Sequence, residues 1–83
     1  MNLEVFSIYD SKISDYSNPM FLSHVGEALR GWEAVCNDAS TKMNKYPEDF
    51  TLFHIGTWDS TTASFKMLNT PKSLATALSV IRH

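Results

Sequence analysis

Apolar and polar positions alternate over residues 3–9, in a segment rich in β-branched and aromatic side chains. A period of two predicts a first strand. Residues 10–18 are polar and end at Asn18-Pro19, which indicates a surface loop. Ser23 is a good N-cap, and the apolar positions after it recur every three or four residues as far as Ala39. This spacing predicts a helix.

The second half of the chain begins with a polar stretch, residues 37–47, which predicts a loop or a short helical turn. Residues 51–58 alternate again, with apolar side chains on both sides, and predict a second strand. The turn-forming residues 59–62 follow. Residues 63–68 then predict a third strand, antiparallel to the second in a hairpin.

The last segment predicts a helix. Thr70 stands before Pro71, which is the combination of an N-cap and a proline at the first helical position. The apolar residues that follow, Leu74, Ala77, Leu78 and Ile81, recur at helical spacing.

The predicted order of elements is therefore β-α-β-β-α. A chain of 83 residues supports one hydrophobic core, so we expect a single domain over residues 1–83. The simplest layering that buries both helical stripes is an α+β fold, in which a small three-stranded, mainly antiparallel sheet carries two helices.

The charges are unevenly placed along an acidic chain. Residues 1–59 carry four basic and all nine acidic side chains, whereas residues 60–83 carry three basic side chains and no acidic one. A nucleic-acid coat protein is usually basic overall. The basic C-terminal block nevertheless allows a local anion-binding face.

The sequence lacks the residue spacings that are typical of common enzyme sites. The three histidines are far apart, and the three glycines are scattered, so we expect neither a metal site nor a phosphate-binding loop. Cys36 lies on the apolar stripe of the first helix, which favours a buried side chain over a nucleophile. We expect no enzymatic activity and no cofactor.

Aromatic rings and a few cations suit the binding of unpaired nucleic acid, because rings stack on bases and cations contact phosphates. Phe6, Phe21, Trp32, Phe50 and Phe53 are expected in the core. The remaining candidates lie beside turns, in polar loops or in the C-terminal block. The candidate DNA-binding residues are Tyr9, Tyr16, Tyr46, Trp58, Lys12, Lys66, Lys72 and Arg82.

Several short segments together resemble the small nonstructural DNA-binding protein of gokushovirus-type microviruses, the single-stranded DNA phages of the Microviridae. The strongest part is Pro47-Glu48-Asp49-Phe50 followed by His54-Ile55-Gly56. The other matching pieces, in order, are Ser7-Ile8-Tyr9-Asp10 with Lys12, Asn18-Pro19 with Phe21, Gly26-Glu27-Ala28-Leu29-Arg30, Asn37-Asp38 and Pro71.

The resemblance implies a phage protein that binds single-stranded DNA during the switch from duplex replication to single-stranded genome synthesis and packaging. It also implies a protein of the host bacterial cytoplasm that is absent from the mature virion. No catalytic residue is implied.

Two expectations about partners follow from the residues. A small sheet has exposed edges, so we expect a homodimer or a higher homo-oligomer. The alternative function is a homo-oligomeric adaptor that binds phage or host replication or capsid proteins without contacting DNA. No apolar run is long enough for a membrane span, so a membrane is not an expected partner.

Overall fold

A computed structural model describes residues 1–82, which form one antiparallel sheet of five strands with three helices. The strands are β1 (Asn2–Asp10), β2 (Asp15–Tyr16), β3 (Met20–Leu22), β4 (Phe50–Asp59) and β5 (Ser64–Thr76). The helices are α1 (Val25–Cys36), α2 (Lys42–Lys45) and α3 (Ala77–Val80). The strand order is β2-β1-β4-β5. β3, like β2, pairs with β1.

The predicted fold class is wrong. The molecule is mostly β, with five strands and three short helices in place of a three-stranded sheet with two helices. The strand predicted over residues 3–9 is β1, the helix predicted after Ser23 is α1, and the predicted hairpin is formed by β4 and β5. The difference lies in two segments, residues 10–22 and residues 71–76.

The segment predicted as a loop, residues 10–18, contains β2, which forms a hairpin with β1. Asp10 Oδ1 accepts a hydrogen bond of 3.0 Å from the Lys12 N–H, and Ser14 has a φ of 53°, so residues 11–14 turn the chain back along β1. β2 and β3 then pair with β1 in succession. Strands of two and three residues are too short to show an alternating pattern, so the pattern predicts neither β2 nor β3.

The helix predicted to begin at Pro71 is also wrong. β5 runs to Thr76, and the helix that follows, α3, spans only Ala77–Val80. Its N-cap is Thr76, whose Oγ1 accepts a 3.1 Å hydrogen bond from the Ser79 N–H. In the pairing of β4 with β5, Ile55 faces residues 68–71, which form a bulge. Pro71 fits there because its missing N–H takes no ladder hydrogen bond.

The core lies between α1 and one face of the sheet, which we call the covered face. Phe6, Phe50 and Leu52 of the sheet pack with Ala28, Trp32 and Cys36 of α1 and with Ala77 of α3. All seven are buried. Burial raises the pKa of the Cys36 thiol to about 11, because an apolar environment disfavours the thiolate. Within residues 1–82, no helix has both the length and the apolar composition needed to cross a bilayer.

Candidate functional site

The other face of the sheet, which we call the open face, carries aromatic side chains. Directly paired residues of adjacent strands point to the same face. The pairs Tyr9–Tyr16, Leu3–Trp58 and Trp58–Phe65 therefore share one face, opposite to Phe6 and Leu52. The large exposed side chains on this face include Tyr16, Phe21, Phe65 and Met67.

Three rings at one end of the open face form the tyrosine cluster, which consists of Tyr9, Tyr16 and Phe53. The ring centroids of Tyr9 and Tyr16 are 4.7 Å apart, and the Phe53 centroid lies 5.6 Å from that of Tyr16 and 6.1 Å from that of Tyr9. Strand pairing produces the cluster, because Tyr9 stands directly opposite Tyr16 and Phe53 stands opposite Ser7, two residues along β1. Tyr16 is 44% exposed and forms the outer surface of the cluster.

Three rings at the other end form the tryptophan cluster, which consists of Phe21, Trp58 and Phe65. The Trp58 and Phe65 centroids are 4.7 Å apart, and the Phe21 and Phe65 centroids are 6.0 Å apart. Phe21 lies on β3 and Phe65 on β5, with β1 and β4 between them. In a flat sheet these strands would be about 14 Å apart, at roughly 4.8 Å per strand. The sheet is therefore curled, and its concave side is the open face.

The curl leaves a depression of about 310 Å³ in the tryptophan cluster, lined by Leu3, Phe21, Trp58 and Phe65. Gly56 allows β5 to come close beside it. A Cβ at Gly56 would lie 2.6 Å from the Lys66 carbonyl oxygen and 3.0 Å from the Met67 Cα. A side chain at this position would therefore push β5 away from β4.

The turn that connects β4 to β5 holds the tryptophan cluster in place. The Thr61 N–H donates a 2.9 Å hydrogen bond to Asp59 Oδ1, which lowers the pKa of that carboxyl. The Ser60 N–H donates to the Met1 carbonyl oxygen at 3.0 Å and ties the start of β1 to this turn. Ala63 completes the turn at a φ of 55°, in the left-handed region.

The candidate cations lie away from the rings. Lys66 pairs with Thr57 and Lys72 with His54, so both lysines project to the side of Phe6, opposite to the open face. On that side, His54 Nε2 is 2.9 Å from Glu4 Oε1, and the His54 ring lies 5.2 Å from that of Phe6.

The other two candidate cations are near the ends of elements. Arg82 forms an ion pair with Glu33 of α1 through its guanidinium, and its N–H donates to Asn37 Oδ1 at 2.8 Å. Lys12 lies in the turn between β1 and β2. It lines a depression of about 570 Å³ with Asp10, Ile13, Lys42, Tyr46, Glu48, Asp49 and Phe50.

The structure thus brings two of the eight predicted residues, Tyr9 and Tyr16, into direct ring contact. Trp58 belongs to the second cluster, while Tyr46 and Lys12 share a separate depression. Three rings of the open face were not among the predicted site residues. The sequence predicts Phe21 and Phe53 in the core and Phe65 on the third strand.

A sequence signal for one of these rings existed. In the predicted hairpin, a turn after Asp59 places Phe65 opposite Trp58, so the two rings could have been paired from the register. Among residues 1–82, no three His, Cys, Asp or Glu side chains lie close enough together to hold a metal ion.

The comparisons with known proteins identify a family. A sequence model of the family described as "Phage ORF5 protein" matches residues 3–80. The search of curated proteins and the search of solved structures each give no match.

Proposed function

The chain belongs to the phage ORF5 protein family, and on this premise we propose that it binds single-stranded DNA through the open face of its sheet. The binding would act in the switch from duplex replication to single-stranded genome synthesis and packaging, in a phage of the gokushovirus type. The observation that carries this proposal is the tyrosine cluster. The ring centroids of Tyr9, Tyr16 and Phe53 lie within 6.1 Å of one another on this face of the sheet.

The tyrosine cluster suits unpaired bases better than a duplex. Each base has a flat face that stacks on an aromatic ring, and this face is accessible in a single strand. Tyr16 offers an exposed ring, and the neighbouring rings of Tyr9 and Phe53 hold it in position. Base–aromatic stacking depends little on sequence. We therefore expect little sequence preference.

Phosphate contacts would have to come from the margin of the open face. Lys12 is the candidate cation at the tyrosine end, because its turn connects the two strands that carry Tyr9 and Tyr16. Each phosphate contact to a single strand changes the logarithmic salt slope by about −0.7. With one or two such contacts on an acidic chain, we expect weak binding and a shallow salt dependence.

One observation favours the adaptor as a second candidate function. The strand pairings place no charged side chain on the open face within residues 1–82. Phosphate contacts supply most of the affinity in non-specific DNA binding. An uncharged aromatic surface is also typical of the centre of a protein–protein interface.

The test compares two exposed tyrosines. Fluorescence anisotropy would measure the binding of labelled single-stranded and duplex oligonucleotides to the wild type, to Tyr16→Ala and to Tyr46→Ala, at low and at physiological salt. Tyr46 is a matched control because it is also exposed but lies outside the tyrosine cluster.

We expect the wild type to prefer the single strand. Tyr16→Ala should weaken binding about tenfold, the equivalent of about 1.4 kcal/mol and within the range for one stacked base. Tyr46→Ala should change it less. Equal losses in the two variants would contradict the role of the tyrosine cluster. A folded wild type that binds neither DNA at low salt would overturn DNA binding and support the adaptor.

A further inference from the structure

The tryptophan cluster exposes large apolar side chains on one surface. Phe65 is 55% exposed, Phe21 is 41% exposed, and Met67, on the same face of β5, is 54% exposed. Apolar groups gathered on one surface mark interaction sites. We propose that this surface joins two copies of the chain in a symmetric dimer, in which the open faces meet at their tryptophan ends.

The shape of the surface favours a second copy as the partner. The depression of about 310 Å³ among Leu3, Phe21, Trp58 and Phe65 has room for a large side chain, since an apolar cavity of about 150 Å³ takes up benzene. Met67 projects from the same face, two residues along β5 from Phe65. Each copy thus offers both a depression and a side chain to fill one, as a two-fold axis requires. Met67 of the partner subunit enters the depression.

The charge distribution favours the same partner. Two copies of one acidic chain repel each other least when the surfaces that meet carry no charge. The pairings place no charged side chain beside Trp58 on the open face among the described residues, and Lys66 projects to the opposite side. The contact therefore buries no unpaired charge, which would be costly.

The surface is small, and this limits the strength of the dimer. Stable interfaces use about 20–30 residues on each side, whereas this contact centres on five side chains, Leu3, Phe21, Trp58, Phe65 and Met67. We expect a dissociation constant in the micromolar range or weaker, so the fraction of chains in the dimer should rise with protein concentration.

Adjacent residues on opposite faces provide the test. Phe65→Glu places a charge in the proposed contact, and Lys66→Gln changes the net charge by the same amount on the other side of β5. Sedimentation equilibrium from low micromolar to near-millimolar protein would measure association of the wild type and both variants. Circular dichroism would check that each variant is folded.

We expect the average mass of the wild type and of Lys66→Gln to rise towards that of a dimer, while Phe65→Glu stays monomeric. If Phe65→Glu fails to fold, Met67→Glu replaces it, because Met67 is exposed and lies outside the ring cluster. A wild type that is monomeric at the highest concentration would overturn the proposal. Association of the glutamate variant as tight as that of the wild type would do so as well.

Discussion

The two faces of the sheet share the same strands but differ in what covers them. On the covered face, Phe6 and Leu52 are buried against α1, whereas on the open face Phe65 and Tyr16 keep about half of their area in contact with water. Buried apolar area stabilises the fold, and the same area left exposed adds little until something binds to it. The covered face therefore supplies most of the buried apolar area that stabilises the fold, and the exposed rings of the open face are available for recognition.

Adjacent residues of β4 give the sharpest test of this difference. Leu52→Ala removes a side chain that is 2% exposed from the core. We expect it to lower the free energy of unfolding by about 2–5 kcal/mol, through lost burial and the cavity left behind. Phe53→Ala, one residue further on the open face, should cost clearly less because Phe53 is only half-buried. Urea unfolding measures both. Equal losses would show that the two faces contribute alike to stability.

The thiol of Cys36 reports on the covered face without any substitution. Its pKa is raised from 9.0 to about 11, so at pH 8 the thiolate fraction falls about a hundredfold. We expect alkylation of the native protein at pH 8 to be at least that much slower than alkylation in urea, because only the thiolate reacts. The rate is followed by mass spectrometry. Similar rates in the two states would mean that α1 does not protect this position.

The close approach of β5 to β4 is tested by two glycines. Gly56→Ala would bring its Cβ within 2.6 Å of the Lys66 carbonyl oxygen, and we expect a loss of about 2 kcal/mol from the resulting strain. Gly31→Ala in α1 meets nothing within 4 Å and should stabilise by up to about 1 kcal/mol. Thermal unfolding measures whether each substitution lowers or raises the stability of the fold. A neutral Gly56→Ala would show that β5 can shift freely.

The smallest effect is expected in the turn beside the tryptophan cluster. Ala63 has a φ of 55°, a conformation that glycine adopts without a Cβ penalty. We expect Ala63→Gly to stabilise by about 0.5 kcal/mol, the relief of left-handed strain less the greater entropy of glycine in the unfolded chain. The midpoint of urea unfolding checks this. A destabilised variant would contradict the left-handed conformation of Ala63.

The sequence predicted most of the covered face and little of the open face. The stripe of α1 and the alternation in β1 are local patterns, and three of the large aromatic residues predicted in the core, Phe6, Trp32 and Phe50, lie there. The open face depends on which strands pair and how far the sheet curls. Phe21 and Phe65 come from strands that do not pair with each other, and no spacing along the chain shows that their rings meet.

The helix predicted to begin at Pro71 was wrong for a different reason. A proline after threonine is favoured at the start of a helix, and it is also tolerated in a bulge, because both positions leave the missing N–H without consequence. Pro71 occupies the bulge. The apolar spacing from Leu74 to Ile81 is helical in period, yet only Ala77–Val80 forms a helix, since Leu74 and Ala75 pack against the core from β5.

The bulge at residues 68–71 also makes the outer edge of the sheet a poor site for another chain to pair with. β5 is the last strand on its side of the sheet, and a long regular edge strand invites further chains to add by hydrogen bonding, which is the first step towards fibrils. Residues 68–71 interrupt the regular row of backbone donors and acceptors, and Pro71 removes one donor from it. Lysines on both sides of the interruption, Lys66 and Lys72, add like-charge repulsion between edges. The outer edge of the sheet is in this way kept from polymerisation, and the contact proposed between two copies uses a sheet face instead.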